Sequence, residues 1–290
     1  MSEPGFQKGA IMVDHLLQGS FDLHMHAAPS PFGRLMDDFG LVEEAGAAGM
    51  AGILLKSHYE PTGPRAQLVN AHSGSKCKAY GGIVLNWPVG GLNPYAAENA
   101  LKRGASIVWM PTRDSANSLR SGNMPGDFFD RPGIVIQDES GALKPEVPEI
   151  LRIAKKYNAA VATGHISPEE SVLLCRKGRE MGTRMVLTHP EFDRTAVAPA
   201  IQKELAGLGV YIEKCWYNIA EGNCTAEEMA DSIRAVGCER CFLVTDRGQG
   251  NREHPVEGMR RFLHTLVQAG FTEEELYTMT HTVPALVLGL

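Results

Sequence analysis

Imidazole side chains recur in this sequence at the points where short apolar segments end. The first segment, FDLHMH at residues 21–26, carries two histidines one residue apart. Five of the ten histidines in the chain end such segments: His24, His26, His58, His165 and His189. The last segment ends in a carboxylate, Asp246. Imidazoles combined with a carboxylate are typical ligands of divalent transition metals, so these residues predict a metal site if the fold brings them together.

Eight apolar segments rich in Val, Ile and Leu alternate with longer amphipathic segments. The predicted strands cover residues 20–26, 51–58, 79–86, 105–112, 159–165, 184–190, 209–215 and 240–246. Helical signals lie between them: residues 144–158 have apolar residues at helical spacing, and Ser167 followed by Pro168 is typical of a helix start. Eight repeats of strand and helix predict a mostly parallel sheet.

We predict a single-domain α/β fold, a (β/α)8 TIM barrel spanning residues 1–290. A closed barrel typically needs about 250 residues, which this chain provides. An open doubly wound sheet is the alternative, but it usually has a glycine-rich phosphate loop after its first strand, and residues 24–33 contain none. Residues 113–145 are long for a simple connection and predict a lid-like insertion over the barrel mouth, with a hairpin turn at residues 139–141.

The barrel hypothesis gives the strand ends a function, because the active sites of such barrels lie at the C-terminal ends of the strands. Side chains two residues apart on a strand share a face. His24 and His26 are therefore predicted to point into the mouth together, and Lys56 and His58 should do the same from the second strand.

Four further polar residues lie near predicted strand ends. Arg113 and Arg247 are candidates to bind an anionic substrate, because arginine forms bidentate pairs with carboxylates, although surface ion pairing is the commoner role. For Lys214, a structural role is favoured over a functional one. Asp22 precedes the paired histidines, and we predict that it is buried and hydrogen-bonded in the barrel wall rather than a ligand.

Composition limits the partners of this protein. A net charge of -6 and a pI near 5.9 argue against a surface that binds nucleic acid or an anionic membrane. No apolar run approaches the roughly 20 residues of a membrane span, and the N-terminus lacks a signal-peptide pattern. Six scattered cysteines predict reduced thiols, and Cys238 and Cys241 have no second pair to complete a zinc site. We expect a cytoplasmic homo-oligomer that acts on a small-molecule substrate.

The order of the polar residues resembles that of the amidohydrolase superfamily of metal-dependent hydrolases. That superfamily has an HxH motif on its first strand, histidines after strands five and six, and an aspartate after strand eight. The matching positions are His24, His26, His165, His189 and Asp246. The segment TVPALVLGL also resembles the closing helix of many members, with Val283 in place of Asn. The motifs GHISPEE and VLTHP resemble the phosphotriesterase-like and lactonase-like branch.

The resemblance implies hydrolysis assisted by one or two divalent metals, zinc in the first place, with Mn, Fe or Co as alternatives. Asp246 would move protons, His189 would polarise the substrate, and His58 would contact it. Members with two metals often carry a bridging lysine or glutamate after strand four, whereas that strand here ends in WMPTR. Lys56, on strand two, is the implied catalytic or metal-binding substitute, as a bridging carbamate, a substrate-binding cation or a proton carrier. One-metal and two-metal sites stay equally open.

Three function classes follow from this pattern. The first is a hydrolase acting on an amide, lactone or ester, and the second is a metal-dependent decarboxylase or other lyase of the same superfamily. The third is a barrel without chemistry, which the intact polar set disfavours. A phosphoesterase resembling histidinol phosphatase is weaker, because the further His and Asp clusters of that group are missing.

Overall fold

A closed parallel barrel forms the body of the protein. The computed structural model describes residues 13–122 and 130–290, and their strands form one eight-stranded parallel sheet in sequential order. The strands are β1 (Phe21–Met25), β2 (Gly52–Leu55), β3 (Lys78–Val84), β4 (Ala105–Trp109), β5 (Ala160–Ala162), β6 (Arg184–Leu187), β7 (Tyr211–Cys215) and β8 (Cys241–Val244). Asp246 N donates to His24 O (2.9 Å) and His26 N donates to Arg247 O (2.9 Å), which joins β1 to the end of β8. The predicted (β/α)8 barrel is confirmed, and the open-sheet alternative is wrong.

Helices surround the sheet and connect its strands. They are α1 (Asp38–Ala47), α2 (Gly63–His72), α3 (Pro94–Lys102), α4 (Ala116–Ser121), α5 (Glu146–Lys156), α6 (Pro168–Glu180), α7 (Pro199–Gly207), α8 (Trp216–Ala220), α9 (Ala226–Val236), α10 (Pro255–Gln268), α11 (Glu273–Tyr277) and α12 (Val283–Leu288). The predicted start of α6 is a capping box, since Glu170 N donates to Ser167 Oγ (3.2 Å) and Ser167 N donates to Glu170 Oε2 (3.0 Å). Within the described residues no helix is long and apolar enough to cross a membrane.

Apolar side chains fill both sides of the sheet, as buried parallel strands require. The outer layer packs the sheet against the helices. The barrel interior is filled by Leu23, Leu54, Val84, Ile107, Trp109, Val186, Phe242 and Val244. Helix α12 adds Val283 and Val287 to this inner cluster, which also contacts Phe21 and Tyr211 at strand starts. The C-terminal segment therefore closes the end of the barrel opposite to the strand C-termini.

The segment after β4 departs from the strand and helix alternation, as predicted for residues 113–145. Its second half forms the predicted hairpin, in which Gln137 pairs with Leu143 and Gly141 N donates to Asp138 O (3.0 Å). Part of the predicted lid, residues 123–129, lies outside the described residues, so the lid role stays a prediction.

The first half of the same segment supports the loop after β5. Ser115 Oγ and Asn117 Nδ2 donate to His165 O at 2.7 and 3.2 Å. Asn117 Nδ2 also donates to Arg194 O at 2.7 Å. The insertion therefore fixes the backbone of two neighbouring loops at the C-terminal end of the barrel.

Lys214 of β7 lies in a buried polar cluster outside the barrel interior. Its Nζ donates to Glu191 Oε1 (2.5 Å), Gln202 Oε1 (2.7 Å) and Ser232 Oγ (2.7 Å). The lysine is fully buried and Glu191 nearly so, and the pair ties β7 to the loop after β6. This contact set supports the structural interpretation of Lys214.

Replacing Lys214 by Met is expected to destabilise the fold by about 3–5 kcal/mol, because it leaves the Glu191 carboxylate buried without its cation. Urea unfolding followed by circular dichroism measures this change. The double variant that also replaces Glu191 by Met should recover much of the loss, since no charge then stays unpaired. A loss below about 1 kcal/mol in the single variant would show that the pair contributes no more than a surface ion pair.

Candidate metal centre

The predicted site residues meet at one pocket of about 440 Å³ at the C-terminal ends of the strands. Its lining includes all six predicted metal ligands and two of the three predicted substrate-binding residues: His24, His26, Lys56, His165, His189, Asp246, His58 and Arg113. His24 lies near the end of β1, and the other seven lie one to four residues beyond a strand end, as the barrel hypothesis requires. Arg247 is the one predicted site residue that does not line the pocket.

Three imidazoles converge on the carboxylate of Asp246. His26 Nε2 lies 2.9 Å and His24 Nε2 3.4 Å from Asp246 Oδ1, and His189 Nε2 lies 3.5 Å from Oδ2. Ligand atoms of His24, His189 and Asp246 lie within 4.8 Å of one another. Ring nitrogens from two strands and a carboxylate from a third therefore point at one small volume, as ligands of a single cation would.

Outer hydrogen bonds hold these rings with Nε2 facing inward. His24 Nδ1 lies 3.2 Å from Glu213 Oε1, and His26 Nδ1 donates to Lys56 O at 2.8 Å. A histidine that binds a metal usually donates its other ring nitrogen to a carboxylate or a carbonyl in this way. The donor set and its outer partners fit a divalent transition metal.

Glu213 is a site residue that the sequence reasoning missed. It lies in the middle of β7, is 1% exposed, and faces the barrel interior while its neighbour Lys214 faces outward. Its Oε1 also lies 3.7 Å from His189 Nδ1. The available signal was a charged residue within a strand that is otherwise buried, because such a residue needs a partner in the interior.

Burial keeps the imidazoles neutral. It lowers the pKa of His24 and His26 to about 3 and that of His189 to about 4. Burial alone would raise the pKa of Asp246, but the surrounding histidines outweigh it and hold this pKa well below its ordinary value. Neutral imidazoles and an ionised carboxylate are the protonation states that a metal requires.

The amine of Lys56 lies within the group of imidazoles. Its Nζ is 2.8 Å from His24 Nε2 and 5.2 Å from the ring centroid of Trp109, and the residue is 3% exposed. Burial lowers its pKa, which favours the neutral amine. A neutral amine can bind a metal or react with carbon dioxide, so the position is compatible with either predicted role.

Backbone strain marks two of the converging residues. His189 (φ 48°) and Asp246 (φ 51°) adopt the left-handed conformation, which is uncommon for residues other than glycine. Such conformations persist where the surrounding structure imposes them and cluster at functional sites. Position 248 requires glycine for a steric reason, because a Cβ on Gly248 would lie 1.8 Å from His26 O.

His58 and His165 extend the imidazole group across the pocket. His58 stacks on His26 with 5.0 Å between ring centroids, and its Nδ1 lies 2.8 Å from Thr112 Oγ1. The His165 ring lies 5.7 Å from that of His189. Its Nδ1 is buried and has no hydrogen-bond partner in the described part of the chain, which makes this imidazole a candidate to contact a metal or a substrate.

The structure gives Arg247 a different role from the predicted substrate contact. Its guanidinium pairs with Glu253 (Nε to Oε1, 3.1 Å) and Glu221 (Nη1 to Oε1, 3.3 Å) on the outer side of β8. The side chain is fully buried there, so it ties α8 to the loop after β8. Asp22 is buried in the barrel wall as predicted and accepts from Thr245 Oγ1 (2.5 Å) and His24 N (3.1 Å).

Replacing Glu213 by Gln is expected to weaken zinc binding by about 10–100-fold, because His24 loses the carboxylate that orients its ring. Competition with a chromophoric chelator measures the affinity. Glu180→Gln, at an exposed position on α6, is the matched control and should bind zinc as the parent does. Equal affinities in the two variants would contradict the orienting role of Glu213.

Comparison with known sequences yields one family. The sequence model of a family of unknown function (DUF6282) matches residues 19–213. No curated protein sequence matches the chain.

Comparison with solved structures yields barrels of the same kind. An amidohydrolase from Pseudomonas aeruginosa shares 13% identity, with a TM-score of 0.61 over 96% of this chain and 97% of its own. A probable 2-pyrone-4,6-dicarboxylic acid hydrolase from Acinetobacter baumannii shares 12% identity, with a TM-score of 0.57 over 94% and 100%. A mutant organophosphorus hydrolase from Deinococcus radiodurans shares 15% identity, with a TM-score of 0.58 over 94% and 93%. The predicted likeness to the amidohydrolase superfamily is confirmed for the fold.

Proposed function

Because the chain belongs to the DUF6282 family, a family of unknown function, we propose its activity from the site itself. The protein is a metal-dependent hydrolase that acts on an amide, lactone or ester bond of a small molecule. The observation that carries this proposal is the convergence of three Nε2 atoms on Asp246 at the barrel mouth. Solved proteins with this fold include hydrolases of a pyrone dicarboxylate and of organophosphates by their names, which supports hydrolysis without fixing the bond.

Four residues would hold the cation: His24, His26, His189 and Asp246. His165 and Lys56 line the same pocket and are the candidates for a second position. When bound, a divalent cation acts as a Lewis acid and lowers the pKa of water towards about 7. The rings need no deprotonation at neutral pH, because their pKa values are already low.

Asp246 is the proton carrier in this proposal. Its ionised carboxylate accepts a proton from the attacking water at Oδ2 and later donates it to the leaving group. His26 Nε2 lies 2.9 Å from Oδ1, so these two atoms would share the cation and leave Oδ2 for proton transfer. His189, as a ligand, would act on the substrate only through the cation, whereas the His165 imidazole lines the same pocket and can donate to the oxygen of the scissile group.

A decarboxylase or other lyase is the second candidate. Arg34, Arg113 and Arg194 line the pocket, and a guanidinium beside the metal would hold a substrate carboxylate. The two candidates differ in their products, since decarboxylation releases carbon dioxide and hydrolysis consumes water. Measuring carbon dioxide release and hydrolysis products on one substrate that the protein converts distinguishes the two candidate activities.

Metal analysis of the purified protein tests the central claim. We expect one or two equivalents of a divalent metal per chain, zinc first, and loss of this metal in the His24→Ala variant. Two equivalents in the parent protein and one in the Lys56→Met variant would identify Lys56 as a bridge. One equivalent in the parent protein would favour a mononuclear hydrolase or the lyase. A folded protein that binds no metal even after zinc is added would overturn the proposal.

A further inference from the structure

Arg194 lines the pocket from the loop after β6, and part of its guanidinium has no acceptor. The side chain is 13% exposed, and its Cζ stacks 4.8 Å from the ring centroid of Phe192. Stacking occupies a face of the guanidinium and leaves the N–H donors at its edge. Two of the edge atoms, Nε and Nη1, are buried and have no hydrogen-bond partner in the described part of the chain. Buried donors of this kind are costly to leave unpaired, so a ligand that supplies an acceptor is favoured.

The acid next to Arg194 in the sequence does not supply this acceptor. Asp193 Oδ1 lies 3.8 Å from Arg194 Nε, which is beyond hydrogen-bond distance. The same oxygen accepts from the backbone N of Arg194 at 2.7 Å. Because the Asp193 side chain is 70% exposed, water screens its charge and the ion pair with Arg194 is weak.

Arg194 differs in this respect from the other cationic side chains of the described pocket lining, Arg34, Lys56 and Arg113. The charge of Asp246 attracts both Arg34 and Lys56. Arg113 is also engaged in interactions within the protein. Among these cations, Arg194 is therefore the one whose buried donors lack an acceptor.

The loop that carries Arg194 is fixed beside the converging imidazoles. The Phe192 ring, on which the guanidinium stacks, lies 5.9 Å from the His165 ring and 5.8 Å from the His189 ring, between centroids. Phe192 N and Thr195 Oγ1 both donate to His189 O, at 3.0 and 2.7 Å. One aromatic ring thus contacts the guanidinium and two imidazoles, so a small molecule can reach both groups at once.

We propose that the substrate of this pocket carries a free carboxylate that pairs with Arg194, while its scissile bond lies at Asp246 and the imidazoles. The inference deepens the proposed function, on which it rests, by naming the substrate class of the same site: a lactone, amide or ester that bears a carboxylate. A carboxylate matches Arg194 because one negative charge balances one guanidinium and its two oxygens fit the planar fork. Arg194 would hold the substrate in position and take no part in breaking the bond.

Binding of hydroxamates to the zinc-loaded protein, followed by isothermal titration calorimetry, tests this assignment. A hydroxamate binds zinc, so benzohydroxamate reports on the metal, and its 3-carboxy and 4-carboxy derivatives add a carboxylate at two distances. At least one derivative should bind about tenfold more tightly than benzohydroxamate, since a hydrogen bond to a charged group contributes at least this much. Arg194→Gln should abolish the preference and leave benzohydroxamate affinity unchanged.

Two further variants make the result specific to the guanidinium of Arg194. Arg152→Gln is the matched control, because Arg152 is exposed on α5 and pairs with Glu149, and it should keep the full preference. Arg194→Lys keeps the charge without the planar fork, so it should retain only part of the preference. The Lys variant also replaces the Gln variant if the latter fails to fold.

Several outcomes would overturn the carboxylate. Equal affinities for benzohydroxamate and both carboxylated derivatives would do so, and so would a full preference in both Arg194 variants. A 3-phosphono derivative that binds more tightly than either carboxylated one would replace the carboxylate by a phosphoryl group. Zinc-dependent benzohydroxamate binding without a carboxylate preference would overturn this inference and keep the proposed function. A preference that is lost in Arg194→Gln but does not depend on zinc would keep the Arg194 site and contradict the metal-dependent function.

Discussion

Replacing Asp246 by Asn is expected to lower kcat/KM by about 10³-fold or more while the barrel stays folded. The amide keeps the shape of the side chain and retains an oxygen at the position of the carboxylate. It has no negative charge and cannot accept a proton from water, so the carrier of the proposed proton transfer is lost. Steady-state kinetics on a lactone or ester that the parent protein hydrolyses measures the effect.

Two controls make this result specific to proton transfer. Asp231→Asn changes a carboxylate that is 80% exposed on α9 and should leave kcat/KM unchanged. Circular dichroism and metal content of the Asp246 variant separate loss of chemistry from loss of fold or of metal. Activity within tenfold of the parent, with metal still bound, would contradict the role of Asp246 as proton carrier.

The barrel could be predicted because its strands are buried on both faces. Such strands appear in the sequence as short apolar runs, and eight of them alternating with helical segments leave few topologies. The polar residues stand out at the ends of these runs. Once the strand ends are known to meet, His24, His165 and Asp246 must approach one another, although they lie far apart in the sequence.

Other site residues could not be predicted, for two physical reasons. Glu213 lies inside a strand, and only three-dimensional contact shows that His24 is its partner. Arg34 and Arg194 lie in loops, whose paths are not determined by a periodic pattern, so their approach to the pocket is visible only in the structure. Arg247 shows the converse: it directly follows Asp246, but its backbone turns the guanidinium away from the pocket to Glu221 and Glu253.

The buried imidazoles also determine how the metal-free protein responds to acid. Folded-state pKa values are lowered for five histidines: His24, His26, His58, His165 and His189. In the unfolded chain these rings protonate near pH 6.5, so the unfolded state binds more protons below that pH. Asp22, with a pKa raised to about 7, and Glu213, with a raised pKa, act in the opposite sense. Because the five imidazoles outnumber the two carboxyl groups, the protein takes up protons on unfolding in mild acid.

The free energy of unfolding of the chelator-treated protein should consequently fall below pH 6, by about 1.4 kcal/mol per pH unit for each additional proton that the unfolded chain binds. Urea unfolding at pH 7, 6, 5.5 and 5 measures this slope. His165→Gln should reduce the slope by about one proton, whereas His72→Gln, at an exposed position on α2, should leave it unchanged. Because domains are typically stable by about 5–15 kcal/mol, the metal-free protein should unfold in mild acid. Stability that is constant or rises between pH 6.5 and pH 5 would show that the imidazoles are not held neutral by burial, and the preformed ligand set inferred from the structure would then be wrong.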